Sequence, residues 1–420
     1  MKIKKIILFL NAFLVTFATL SMQSCDPAED ADFIWPSHNT TGFPGDRQGN
    51  EESRHVLLVY QAGFNTLSSY MEEDYDDLLS GYLPVDHHSR ADNILLVYRQ
   101  TCSERGDYTG ELSSHLIKLN STADGTVVAD TLASYGSDVI SADSKTLHMV
   151  LQDVKRMFPA KSYGMVFSSH ATGWLPAGAT TNYHTISKSP ERSVGQTQTG
   201  TPGSYLCYEM DIKNFAKAFP MKFEYILFDA CLMGCVEVAY EIKDICGLVG
   251  FSTTEVLADG YEYGTLCERL LKGSTPDPVG VVSDFYAQYE GTPLPYCTAS
   301  VVDCTEIDHL AQTCGRLFEK YRSQIRSVNP SNVQGFFRFN WHWFYDLKDI
   351  LVQSGISSED LAELQEALDE CVVFDKATAN FLSFKIRTHC GMSMYLPADG
   401  SAQMNVYYRE LAWNKATNLL

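Results

Sequence analysis

The sequence predicts an α/β domain with a mainly parallel central sheet and helices on both faces. Three observations carry that prediction. Apolar runs such as HVLLVY, ILLVY and YILF are continuous rather than alternating, as expected of strands buried on both faces. Longer mixed segments separate them, with room for crossover helices. One such segment, 141–160, repeats Leu147, Val150, Leu151, Val154 and Phe158 at spacings of three and four. Strands and helices alternating in this way build three layers, helix on sheet on helix.

The elements follow in order. Residues 54–63 form the first buried strand and 66–83 a polar helix. A second strand spans 93–100 and a weaker one 131–137. The periodic helix over 141–160 can be capped by Ser141 or Asp143, whose side chains accept from unpaired backbone N–H groups. Further strands span 162–170, 223–231 and 246–253. The segment 171–205 is the exception, polar, rich in Thr, Ser, Gly and Pro, and without periodicity; a loop that long is usually functional. In a parallel sheet ligands gather at the carboxyl ends of strands, so the residues where strands stop are the candidates for chemistry.

The N-terminus sets the compartment. Lys2, Lys4 and Lys5 precede an apolar run from Ile6 to Leu20, followed by small residues and Cys25, the layout of a secretory signal. Ser21, Met22, Gln23 and Ser24 form a relaxed lipobox. Residues 1–24 are therefore expected to be a lipoprotein signal, with Cys25 carrying the lipid. Residues 25–52 have the composition of a tether, and 53–420 form the domain. The expected location is the bacterial cell envelope, on the outer membrane or cell surface, with secretion as the alternative. The chain of 420 residues has 32 basic and 52 acidic side chains, net −20; loss of the signal lysines leaves 29 against 52, net −23. That balance argues against nucleic acid as a partner, since phosphate binding needs concentrated positive charge. With 45% hydrophobic and 20% charged residues, the chain is not disordered. Cys231 and Cys235 are spaced C-x3-C, but no Cys/His pair follows at zinc spacing, so no structural zinc is expected. A monomer is expected.

Two strand ends carry the chemistry. The strand over 162–170 ends in Ser168, Ser169 and His170 and continues through Ala171 and Thr172 to Gly173 and Trp174. The strand over 223–231 ends in Asp229, Ala230 and Cys231 and turns into a helix. Successive strands joined by a crossover are expected side by side, which brings His170 near Cys231. A thiol is only slightly ionised at neutral pH and needs a base or a positive field to attack an amide. His170 can supply the base, and the helix N-terminus after Cys231 the field. The backbone N–H groups of Cys231 and Ala171 are candidates for an oxyanion hole.

The stretches SSHATGW and ILFDACLMGCVEVAYEIKD resemble the clostripain family of cysteine peptidases, in the clan of caspases, gingipains and legumains. That family's usual patterns at these strand ends are S-H-G-x-G-W and F-D-A-C-L-M-G. Residues 297–312, 344–351, 390–397 and 407–417 are similar to the family's later segments, so the resemblance covers about 54–417. It implies a caspase-like three-layer sandwich, Cys231 as nucleophile and His170 as general acid/base. It also implies cleavage after Arg or Lys, with Asp229 at the family's position for the acid that meets the basic side chain. A buried cation needs such a carboxylate, because an unpaired buried charge is costly. Asp259, in TTEVLADGYEYG after the next strand, is a second candidate pocket acid. Ala171 and Thr172 depart from the family pattern; alanine keeps its N–H but resists a positive φ.

The expected function is cysteine endopeptidase action on proteins or peptides with Arg or Lys, through a thioester acyl-enzyme that water hydrolyses. Relatives self-process near the stretch between base and nucleophile. Lys188 and Arg192 are the two basic residues of 171–205, so self-cleavage at either is expected. No cofactor is expected; some relatives respond to calcium and the acidic surface offers oxygen ligands, but no EF-hand loop is present. The alternative from another class is a non-catalytic surface lipoprotein keeping the peptidase fold as a binding module, which Ala171 favours. A transpeptidase using the same acyl-enzyme is a third reading. His87 and His88 read as an exposed pair, and the aromatic stretch 335–347 as core and groove edge.

Overall fold

The computed structural model describes residues 54–87, 92–102, 108–176, 194–201, 204–337 and 343–420. The expected signal, Cys25, the tether, Lys188 and Arg192 lie outside the described residues. Strand β1 (Val56–Gly63) shows why the apolar runs are continuous. It sends Val56, Leu58 and Tyr60 into one core and Leu57 and Val59 into another on the opposite face. All five are at most 1% exposed, and burying one such side chain contributes about 1.5–3 kcal/mol. Helix α1 (Ser68–Ser80) and the helix Pro278–Tyr289 pack into one core, and α2 (Ser144–Met157) and the helix Ile307–Lys320 into the other.

The remaining strands used here are β2 (Ile94–Thr101), β3 (Ser114–Ser121), β4 (Val127–Tyr135), β5 (Tyr163–Ser168), β6 (Val194–Thr201), β7 (Ser204–Met210), β8 (Phe223–Asp229), β9 (Cys246–Phe251), β10 (Thr298–Asp303), β11 (Tyr345–Asp346) and β12 (Val372–Ala377). With β1, eight of them form one nine-stranded sheet in the order β12-β10-β9-β8-β5-β1-β2-β3-β4. The central run from β9 to β2 is parallel throughout. Two antiparallel strands extend each edge. This is the expected α/β sandwich, with the parallel part confined to the middle.

The departures from expectation lie at the edges. β3 escapes notice because Lys118 interrupts its apolar run; that lysine is buried against the carboxylate of Asp86. The weak strand expected over 131–137 is β4, which starts earlier, at Val127, and leaves much of its length exposed. The described part of 171–205 is not a structureless loop: β6 and β7 pair as an antiparallel hairpin. Its buried residues include the polar Gln196, Thr197 and Gln198 as well as Val194 and Met210. Polar partners at the strand ends hold the first two: Gln196 N–H donates to Ser169 Oγ at 2.9 Å, and Thr197 Oγ1 meets Ser141 Oγ at 2.9 Å. Ser141 is thereby committed elsewhere, and α2 is capped by Asp143, which accepts from Lys145 N–H at 2.7 Å. Among the described residues no helix is long and apolar enough to cross a membrane.

Candidate active site

β5 and β8 are parallel neighbours with Ser168 opposite Asp229. His170 and Cys231 each stand two residues further on, so they leave the sheet at the same level. Both line one cavity at its carboxyl edge, together with Ala171, Asp229, Asp74 of α1 and residues 255–258 after β9.

The turn that presents Cys231 is tightly held. Leu232 lies in the left-handed region at φ 61°, which costs a side-chain-bearing residue about 1–2 kcal/mol. Its surroundings over-determine that conformation. Leu232 N–H donates to the Thr254 carbonyl at 2.9 Å, Gly234 N–H donates to the Ser252 carbonyl at 2.7 Å, and the Leu232 side chain is buried. A Cβ at Gly234 would stand 2.6 Å from the backbone of Ser252 and Thr253, so only glycine allows this approach. The half-buried sulfur of Cys231 accepts the N–H of Val256 at 3.4 Å and donates to the Val256 carbonyl at 3.6 Å.

The other strand end is braced from β1. His170 Nε2 and Thr66 Oγ1 are 2.7 Å apart. Thr66 sits in a turn that buried Asn65 organises: Asn65 Nδ2 donates to the carbonyls of Ala62 at 2.9 Å and Gln196 at 2.7 Å, while Oδ1 accepts from Leu67 N–H at 2.8 Å. Ser169 Oγ donates to the Ala62 carbonyl at 2.7 Å. Gly173 takes φ 60°, where a Cβ would stand 2.5 Å from the Leu232 carbonyl. Ala171 is not among the described non-glycine residues with positive φ. Alanine therefore sits there without strain, and the feature that favoured a non-catalytic binding module loses its force.

Asp229 is buried beneath the cavity. Its Oδ2 accepts from Tyr263 OH at 2.8 Å and from Ser168 Oγ at 3.5 Å. Gly260, at φ 56°, closes over it; a Cβ there would stand 2.5 Å from Oδ2. Burial pushes the Asp229 carboxyl up, and the hydrogen bonds from Tyr263, the Tyr261 backbone and Ser168 pull it partly back. Asp259, expected as a second pocket acid, is instead exposed and outside the cavity lining, in the tight turn where Gly260 N–H returns to the Leu257 carbonyl at 3.0 Å. Phe337 of the aromatic stretch does line the cavity. Among the described residues no group of three or more His, Cys, Asp or Glu side chains is arranged to hold a metal ion.

Sequence reasoning passed over Asn65, Thr66 and Asp74. The first two directly follow a central strand, so testing every strand end would have reached them. Asp74 lies in MEEDYDD, where nothing in the spacing separates it from its acidic neighbours.

The family model for the Clostripain family matches residues 59–418. Among solved structures, the chain is similar to an inactive zymogen C11 protease from Parabacteroides distasonis, at 26% identity and TM-score 0.72 over 88% of this chain and 99% of that one. A secreted C11 cysteine protease from Bacteroides thetaiotaomicron is similar at 26% identity and TM-score 0.71, over 88% of this chain and 100% of that one. A secreted C11 protease from Bacteroides thetaiotaomicron in complex with an irreversible peptide inhibitor shares the fold at 24% identity and TM-score 0.67, over 87% of this chain and 99% of that one. No curated protein matches the chain.

Proposed function

The chain belongs to the clostripain family of cysteine peptidases, and from that premise we propose that it cuts peptide bonds after Arg or Lys, with Cys231 as nucleophile and His170 as acid/base. The observation that supports this most is the convergence of His170, Cys231 and buried Asp229 on one cavity. His170 Nε2 faces Thr66 Oγ1 at 2.7 Å; in the tautomer that donates there, Nδ1 is the nitrogen that takes the thiol proton. The sulfur attacks the scissile carbonyl as that proton moves to His170, and the N–H groups of Cys231 and Ala171 receive the oxyanion. The imidazolium then protonates the leaving amine, the C–N bond breaks, and a thioester remains. Water attacks the thioester while His170 takes its proton; the acid leaves and the sulfur recovers a proton. Acid–base action of this kind supplies about 10²–10⁴-fold and one oxyanion donor about 10²–10³-fold.

Fluorogenic peptides ending in Arg, Lys, Asn or Asp test the reading. The wild type is expected to turn over the first two and not the others, and Cys231→Ala none. Equal turnover of the acidic and amide peptides would remove the basic preference. Failure of every peptide to show Cys231-dependent turnover would favour the binding module.

Maturation belongs to the same proposal. The envelope protein is expected to begin at a lipidated Cys25 and to be cut after Lys188 or Arg192, opening the stretch between base and nucleophile. Mass spectrometry of protein isolated from membranes reads both: wild type should show a lipid adduct on Cys25 and a new chain start at 189 or 193. Cys231→Ala should keep the adduct and remain one chain. Identical products from the two would sink self-cleavage, and an unmodified Cys25 would sink the anchor.

A further inference from the structure

Asp74 is an acid whose position nothing in its contacts explains. It lies on α1, lines the cavity that holds Asp229, and makes no hydrogen bond or ion pair among the described residues. The ionisable groups that act on it are Asp229 from the end of β8, Asp77 and Glu73 from its own helix, Asp259 from the turn after β9, and the hydroxyl of Tyr263; Tyr70, His170, Cys231 and Glu255 line the same cavity. No Arg or Lys among the described residues lines this cavity, and Arg99, which reaches α1 from β2, pairs with Glu72. A half-buried carboxylate among like charges opposes folding, and a cation entering the cavity turns that repulsion into attraction.

We propose that Asp74 is a second acid of the specificity pocket, acting with Asp229 on the cationic side chain that precedes the scissile bond. This rests on the reading of the cavity as a pocket for Arg or Lys. The two acids divide the work. Asp229 already accepts from Tyr263 and Ser168, which fix its position. Asp74 brings no donor of its own and keeps its acceptor capacity for the ligand. Burial, and for Asp74 also repulsion from Asp229, holds both carboxyls above their usual range, so the empty pocket retains a proton. An arriving cation displaces it. Binding therefore releases a proton, and KM falls as pH rises through the titration of the pair.

The test is steady-state kinetics of the intact enzyme on Arg- and Lys-terminated fluorogenic peptides from about pH 5 to pH 8. Wild type is compared with Asp74→Asn and Asp74→Glu, and melting temperatures are recorded. Asp74→Asn is expected to raise KM about tenfold or more, keep kcat within about threefold, and flatten the pH dependence of KM. Its melting temperature should not fall, because a repulsion has been removed. Asp74→Glu should recover most of the affinity. An unchanged KM in Asp74→Asn overturns the proposal. So does a loss of kcat with a lowered melting temperature, which marks a structural residue. A wild type with no Cys231-dependent turnover of these peptides overturns the underlying reading of the cavity, and the role of Asp74 with it.

Discussion

Replacing His170 or Cys231 by alanine is expected to lower kcat by about 10⁵–10⁶-fold, and replacing both to lower it no further. The two act as one unit, since the sulfur is a competent nucleophile only as its proton leaves, and the imidazole is useful only while it has that proton to exchange. Their strands make the pairing rigid, with β5 and β8 hydrogen-bonded up to Ser168 and Asp229. KM should change little, because the pocket acids are separate groups. Thr66→Val probes the bond that orients the ring: it keeps the side-chain shape and removes the oxygen 2.7 Å from Nε2. A loss of about tenfold in kcat is expected, the worth of roughly one hydrogen bond, with KM unchanged and an altered pH profile. Single-turnover rates of the four variants check this. A double variant far slower than either single one would show that the residues act independently and would remove the dyad.

How far the site could be read from sequence follows from what each residue does. His170 and Cys231 were legible because both end central strands, whose apolar runs mark them plainly, and because their side chains are reactive in any context. Asp229 came with the Cys231 strand, two residues before the nucleophile. Thr66 also follows a central strand, but a threonine carries no chemistry until a histidine is placed against it, and that placement spans 104 residues of sequence. Asp74 was beyond reach for another reason. Helical spacing shows which residues share a face, not which strand end that face overlies. The antiparallel edges were illegible where polar residues took core positions, as Lys118 does in β3 and Gln196 in β6, because their partners lie far away in the chain. Ala171 shows the reverse case: the sequence raised a question about backbone conformation that only the φ values answer.

Glu237→Gln is expected to gain about 3 kcal/mol of stability above pH 7 relative to its effect below pH 4.5. Glu237 is completely buried in the helix Val236–Glu241 that follows the nucleophile turn. Its Oε1 accepts the N–H of Tyr395 at 2.8 Å and the hydroxyl of Tyr408 at 2.7 Å, tying the C-terminal segment to that helix. Trp174, from the His170 strand end, packs edge-on against both tyrosines at 5.1 Å. One buried carboxyl thus sits under the junction of the two catalytic strand ends. Burial outweighs these hydrogen bonds and pushes its pKa up to about 7, from an ordinary 4.5. Between those values the folded state holds a proton that the unfolded state has lost, so stability falls as pH rises through the window. Below it the side chain is protonated in both states and no penalty exists; above it the penalty is complete and constant. Glutamine keeps the acceptor for Tyr395 and Tyr408 and cannot ionise, so the variant escapes the fall. Urea unfolding of wild type and Glu237→Gln at several pH values measures the difference. A gap between the two that grows from pH 4.5 to pH 7.5 supports a buried, titrating glutamate. A gap independent of pH would mean that Glu237 is solvated or paired in the folded protein, and would remove the titrating carboxyl from the junction beneath His170 and Cys231.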